Sequence, residues 1–135
     1  MNGDLAVVTG AGAGLGRAYA LELARRGAKV VVNDYGGARD GAGAGSSTPA
    51  DRVVEEVKAL GGEAIANYDN VAIPGGGEGV VQSALDAFGK IDILINNAGS
   101  SPAGRIHDVS DETWLKSLTL KPLGYVRCAR AVIPD

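Results

Sequence analysis

Residues 5–16 read Leu5-Ala6-Val7-Val8-Thr9-Gly10-Ala11-Gly12-Ala13-Gly14-Leu15-Gly16. A short apolar run suited to a buried strand breaks into a glycine cluster, and a helical pattern begins inside that cluster. Gly10, Gly14 and Gly16 occupy the spacing G-x-x-x-G-x-G. Gly10 permits a tight turn, Gly14 lets a pyrophosphate approach the backbone, and Gly16 lets the helix pack close to the sheet. Surface loops often carry glycine clusters, so the pattern gains meaning from its place between strand and helix. Free N–H groups at a helix start can bind phosphate oxygens. Gly10, Gly14, Leu15 and Gly16 are therefore expected to line a dinucleotide site.

Outward from this turn, a helix is predicted from Leu15 to about Arg26, with Leu15, Ala18, Tyr19 and Leu23 on one face. Gly27 ends it, Ala28–Asn33 reads as a second strand, and Asp34 follows at its carboxyl end. Residues 35–49 read as a glycine-rich loop. A helix from about Ala50 to Leu60 comes next, with Val53, Val54, Val57 and Leu60 apolar, then a weak strand at Ala64–Asn67. A third helix spans Gly79–Phe88, carrying Val80, Val81, Ala84 and Leu85. A strand at Ile91–Ile95 leads into Asn96-Asn97-Ala98-Gly99, and a last helix runs from Glu112 to about Val132, capped by Ser110 or Asp111. Pro122 would lose a hydrogen bond in that helix, so a kink or break is expected near 118–122.

The order βαβαβαβα, with strands too apolar for a wet face, predicts an α/β fold. Its form is a partial doubly wound Rossmann arrangement, a parallel sheet ordered 3-2-1-4 with helices on both faces. One dinucleotide-binding domain over 1–135 accounts for the chain. Its 135 residues include 21 glycines and six aromatics, so the core must be built from Ala, Val, Leu and Ile. A formal net charge of −3 disfavours nucleic-acid binding. A single cysteine, Cys128, offers neither an internal disulfide nor a metal site. With no signal-like or membrane-spanning stretch, the expectation is a soluble, cytoplasmic protein, with Cys128 a buried small hydrophobe.

Asp34 stands 24 residues after Gly10. A carboxylate there can accept hydrogens from both ribose hydroxyls of an adenosine, whereas a 2′-phosphate would meet like charge. NAD is thus favoured over NADP. Arg17 and Arg39 weigh against this if either turns toward a phosphate. Asp69 and Asn70 follow the third strand, where a role near the adenine and an ordinary polar turn are both open.

Taken together, Thr9 to Gly16, Asn33-Asp34-Tyr35-Gly36-Gly37 and Asn96-Asn97-Ala98-Gly99 resemble the short-chain dehydrogenase/reductase family. They are similar in particular to members like the dehydrogenase part of peroxisomal multifunctional enzymes. Asp111 and Trp114 match a common start to the family's next helix. The resemblance implies hydride transfer between a nicotinamide cofactor and an alcohol or carbonyl substrate, with Asn97, Ala98 and Gly99 beside the cofactor. It covers nearly all of this chain but only the first half of a usual member, so a shortened form is expected.

Relatives use a tyrosine with a lysine four residues later, plus an upstream serine, in the half that is missing here. The four tyrosines of this chain are followed at the fourth position by Leu23, Arg39, Ala72 and Ala129. Ser100, Ser101 and His107 lack partners in sequence. Lys121 falls where many relatives carry an active-site asparagine, and it reads either as a weak catalytic candidate or as a surface or interface lysine. The isolated chain is expected to be inactive. A non-catalytic nucleotide-binding module and a nonfunctional fragment are the alternatives, and self-association through the final helix is a further expectation.

Overall fold

Alternation of valine-rich runs with amphipathic segments produces, among the described residues, four strands and five α-helices. The computed structural model describes residues 1–37, 45 and 47–134. In chain order these are β1 (Leu5–Val8), α1 (Gly14–Arg25), β2 (Lys29–Asn33), α2 (Thr48–Ala59), β3 (Ala64–Asn67), α3 (Gly76–Phe88), β4 (Ile93–Ile95), α4 (Asp111–Leu118), a π-helical turn (Thr119–Leu123) and α5 (Gly124–Val132). The strands pair in parallel in the order β3-β2-β1-β4. Val7 lies in register with Val31 on one side and Leu94 on the other.

Because successive strand residues face opposite ways, the sheet builds two cores. Ala6, Val8, Val30 and Val32 pack under α1 and α2 with Ala20, Leu23, Val53 and Val57. Leu5, Val7 and Val31 pack on the opposite face with Val80, Ala84 and Cys128 from α3 and α5. Each fully buried valine contributes roughly 1.5–3 kcal/mol relative to an exposed one. Burial also pushes the Cys128 thiol above its usual pKa.

Several boundaries and faces differ from expectation, each for a local reason. Along α1 the buried residues are Gly16, Ala20, Leu21, Leu23 and Ala24, whereas Leu15, Ala18 and Tyr19 are exposed. The close approach of Gly16 to the Gly10 backbone turns a stripe of small residues inward, and counting large apolar side chains overlooks such a stripe. Leu60 and Leu85 are likewise exposed. The α2 helix starts at Thr48, with Pro49 in its first turn, where a missing N–H costs nothing. Three glycines disguise the start of α3 at Gly76. Asp92 falls outside β4 because its carboxylate caps the Leu5 N–H at 2.8 Å. The strands are not uniformly dry either, since all three β4 residues are half-buried.

The expected break in the last helix is the π turn itself. Pro122 lies inside it, and without its N–H the helical ladder widens. Ser110 caps α4, accepting a hydrogen bond from the Thr113 N–H at 3.3 Å. Among the described residues, no helix is long and apolar enough to cross a membrane.

Candidate functional site

At the carboxyl ends of the strands lies a cleft of about 980 Å³. The glycine turn forms its floor. Gly10 has φ +63° and Gly14 φ +56°, a region L side chains rarely enter. A Cβ on Gly14 would meet nothing within 4 Å, so the backbone there opens onto free space. Gly16 is the opposite case: a Cβ would collide with the Gly10 carbonyl and lie 2.5 Å from Asn97 Nδ2. No side chain caps α1 and its first turn carries no acidic residue, which leaves its N-terminal dipole for an anion.

Asp34 stands at the end of β2 on the cleft wall. The Gly12 N–H donates to Asp34 Oδ2 at 2.8 Å and the Gly36 N–H to Oδ1 at 2.7 Å. Each carboxylate oxygen keeps a further lone pair for a ligand hydroxyl. Arg17 does not compete for an anion here, because its guanidinium is engaged by Glu56 of α2, with Nε donating to Oε1 at 3.0 Å. That contact holds the Glu56 carboxyl below the usual range and raises the Arg17 pKa. Arg39, the other cation weighed against NAD, lies outside the described residues.

Behind Asp34 sits a polar network that sequence reading missed. Asn33 and Asn67 are register partners at the ends of β2 and β3, both buried. Asn33 Nδ2 donates to Asn67 Oδ1 at 2.8 Å and to the Asp69 carbonyl at 3.0 Å. Asn67 Nδ2 donates to Asp69 Oδ2 and to Ser83 Oγ, each at 2.7 Å. Asp69 is thereby fixed on the cleft wall, whereas the side-chain oxygen of Asn70 accepts the Ala72 N–H at 2.9 Å in a turn. The available signal was an asparagine ending each of two neighbouring strands.

The far wall is Asn97-Ala98-Gly99 with α4. Thr9 Oγ1 accepts the N–H groups of Asn97 and Ala98, both at 3.0 Å, while Asn97 Nδ2 donates to the Thr9 and Gly10 carbonyls at 3.0 and 3.2 Å. These bonds clamp the end of β4 to the glycine turn. Glu112 and Lys116 form an ion pair (3.1 Å) along the cleft. The stem of Lys121 runs beside Gly99, its Cδ 3.5 Å from where a Gly99 Cβ would stand. His107 is exposed, with Nε2 3.6 Å from Asp108 Oδ1.

The sequence profile described as short chain dehydrogenase matches residues 4–135. The chain belongs to the short-chain dehydrogenase family. A Mycobacterium tuberculosis protein named as a short-chain type dehydrogenase/reductase is 51% identical over 128 residues, covering 95% of this chain and 44% of its own length. Peroxisomal multifunctional enzyme A of Dictyostelium discoideum is 51% identical over 125 residues, 93% of this chain and 27% of that protein. The crystal structure of a short chain dehydrogenase from Mycobacterium avium superposes with a TM-score of 0.88 at 40% identity, covering 97% of this chain and 46% of that one. The chain thus spans less than half the length of these short-chain dehydrogenase relatives. Fold and family together support NAD(P) binding in general, and dehydrogenase is what these relatives are named for. The cytoplasmic expectation is corrected, because relatives at 46–56% identity are named as peroxisomal enzymes. Bulk composition cannot read such an address, which receptors recognise as a short signal.

Proposed function

We propose that residues 1–135 form the dinucleotide-binding domain of an oxidoreductase that uses NAD in preference to NADP with an alcohol or carbonyl substrate. The carrying observation is Asp34, held by two backbone N–H groups with its carboxylate on the cleft wall. The residues fit such a cofactor. Gly10, Gly14, Leu15 and Gly16 would receive the pyrophosphate at the start of α1, Asp34 the adenosine ribose, Asp69 and Asn70 the adenine, and Asn97, Ala98 and Gly99 the nicotinamide side. When bound, the nicotinamide supplies a hydride acceptor or donor. The chain's own part is to bind, orient and discriminate.

Proton transfer at a substrate oxygen needs a positioned acid or base. Lys121, whose stem runs beside Gly99, is a weak candidate, and no Tyr-x-x-x-Lys pair occurs in the sequence. The 135 residues alone are therefore proposed to bind NAD without turning over. Self-association through the final helix draws support from exposed Leu118, Leu123 and Val126.

Titrating NAD and NADP against the parent chain and Asp34→Ala tests the reading. A 2′-phosphate a few ångströms from a carboxylate meets repulsion of at least about 1 kcal/mol, so NADP should bind on the order of tenfold more weakly. Asp34→Ala should remove that difference. Equal affinities in the parent, or an unchanged preference in the variant, would reject the assignment. Ketone-dependent oxidation of NADH by the purified chain would reject the claim of inactivity, and its loss in Lys121→Met would make Lys121 catalytic.

A further inference from the structure

We propose that Gly12, which lies outside the spaced glycines of the turn, is a specificity-determining residue that discriminates NAD from NADP by holding the Asp34 carboxylate in place. This deepens the NAD reading above and rests on it. Gly12 acts in two ways. Its N–H donates to Asp34 Oδ2 at 2.8 Å, and its missing side chain leaves the space the carboxylate fills. A Cβ on Gly12 would stand 2.7 Å from Asp34 Oδ2, 2.8 Å from Asp34 Cγ and 2.5 Å from Pro49 Cβ. Gly12 has no positive φ, so it is space and not backbone conformation that demands glycine here.

Of the two neighbours, Pro49 is the harder to shift. Pro49 sits in the first turn of α2, a helix anchored by buried Ala50, Val53 and Val57 and tied to α1 through Arg17 and Glu56. A methyl group at position 12 is thus wedged between the Pro49 ring of an anchored helix and a short carboxylate, and the carboxylate is the part that gives way. Once displaced, Asp34 loses the Gly12 N–H and leaves the place from which it would accept ribose hydroxyls and repel a 2′-phosphate. Residue 12 consequently governs which ribose the cleft accepts without touching the cofactor through any side chain of its own. This role differs from that of Gly14, whose surroundings are open, and from that of Gly16, which packs against backbone.

The test reads a ratio of affinities. NADH and NADPH are titrated by nicotinamide fluorescence against the parent chain, Gly12→Ala and Gly12→Ala/Pro49→Gly, with circular dichroism confirming that each is folded. The double variant removes the clash with α2 while keeping the one with Asp34, so it serves if the single variant does not fold. The parent should prefer NADH about tenfold. That ratio should fall below about threefold in each folded variant, mainly through weaker NADH binding. A merely structural role would weaken both cofactors alike, and a folded variant that keeps the parent's ratio would overturn the proposal. A parent that shows no preference would instead sink the NAD reading on which the proposal rests, an outcome visible before any variant is made.

Discussion

Val7 has two register partners in unequal surroundings. On one side Val31 is wholly buried between α1–α2 and α3–α5, whereas on the other Leu94 is only half-buried in a three-residue strand that ends the sheet. The same contrast runs through the molecule. The β1–α1–β2 half has strands buried along nearly their whole length and glycines pressed against backbone. The β4–α4–α5 half leaves Trp114, Leu115, Leu118 and Val126 exposed. A large apolar side chain therefore says little about stability until its neighbours are known, because burial sets the contribution and not hydrophobicity alone.

The sharpest break of this comparison is a glycine pair. Gly16→Val should cost about 3 kcal/mol or more, or prevent folding, because its Cβ alone already collides with the Gly10 backbone and Asn97. Gly99→Ala places its methyl in ordinary contact with the Lys121 stem and should stay within about 0.5 kcal/mol. Urea denaturation measures both, and similar losses would erase the distinction between the halves. A smaller effect sharpens it further. Val7→Ala should cost about 2 kcal/mol, and Leu94→Ala should cost less although it deletes more carbon. A larger loss at Leu94 would mean that the edge strand is better covered than its exposure indicates.

The smallest effect concerns acid stability of the α1–α2 contact. The Glu56 carboxyl is held below its usual range by the hydrogen bond from Arg17. A depressed folded value gives stability that is present above the unfolded pKa, about 4.3, and is lost as pH falls through the folded value. The parent's denaturation midpoint should therefore drop between pH 5 and pH 3 slightly more than that of Glu56→Gln, the difference being small because the pair is exposed. Equal slopes would show that the contact adds nothing to the packed half.

Strand order and element sequence were legible because valine runs, glycine breaks and right-handed crossovers leave few topologies. The Pro122 break was legible for a covalent reason, since a missing N–H acts the same in any context. The buried face of α1 was not, because Gly16, Ala20 and Ala24 are inward through close approach and carry little hydrophobic signal of their own. For the candidate site, Asp34 and the spaced glycines could be read from position. The Asn33–Asn67–Asp69–Ser83 network could not, because its long bonds join residues 16 to 36 apart in sequence that meet only once β2 and β3 are in register and α3 has docked beside them.

The clamp between Thr9 and Asn97 also bears on how the chain reaches this fold. Its hydrogen bonds close a loop of 88 residues, so they cannot form until β4 has been made and has found β1. Contacts of such sequence separation carry a large closure entropy and slow the folding of the sheets that depend on them. The β1–α1–β2 unit can assemble early from neighbouring segments, with one edge of β1 left unpaired until β4 arrives. During synthesis on the ribosome that edge is open for as long as the intervening residues take to emerge. The far wall of the cleft is thus built only after the glycine turn it faces.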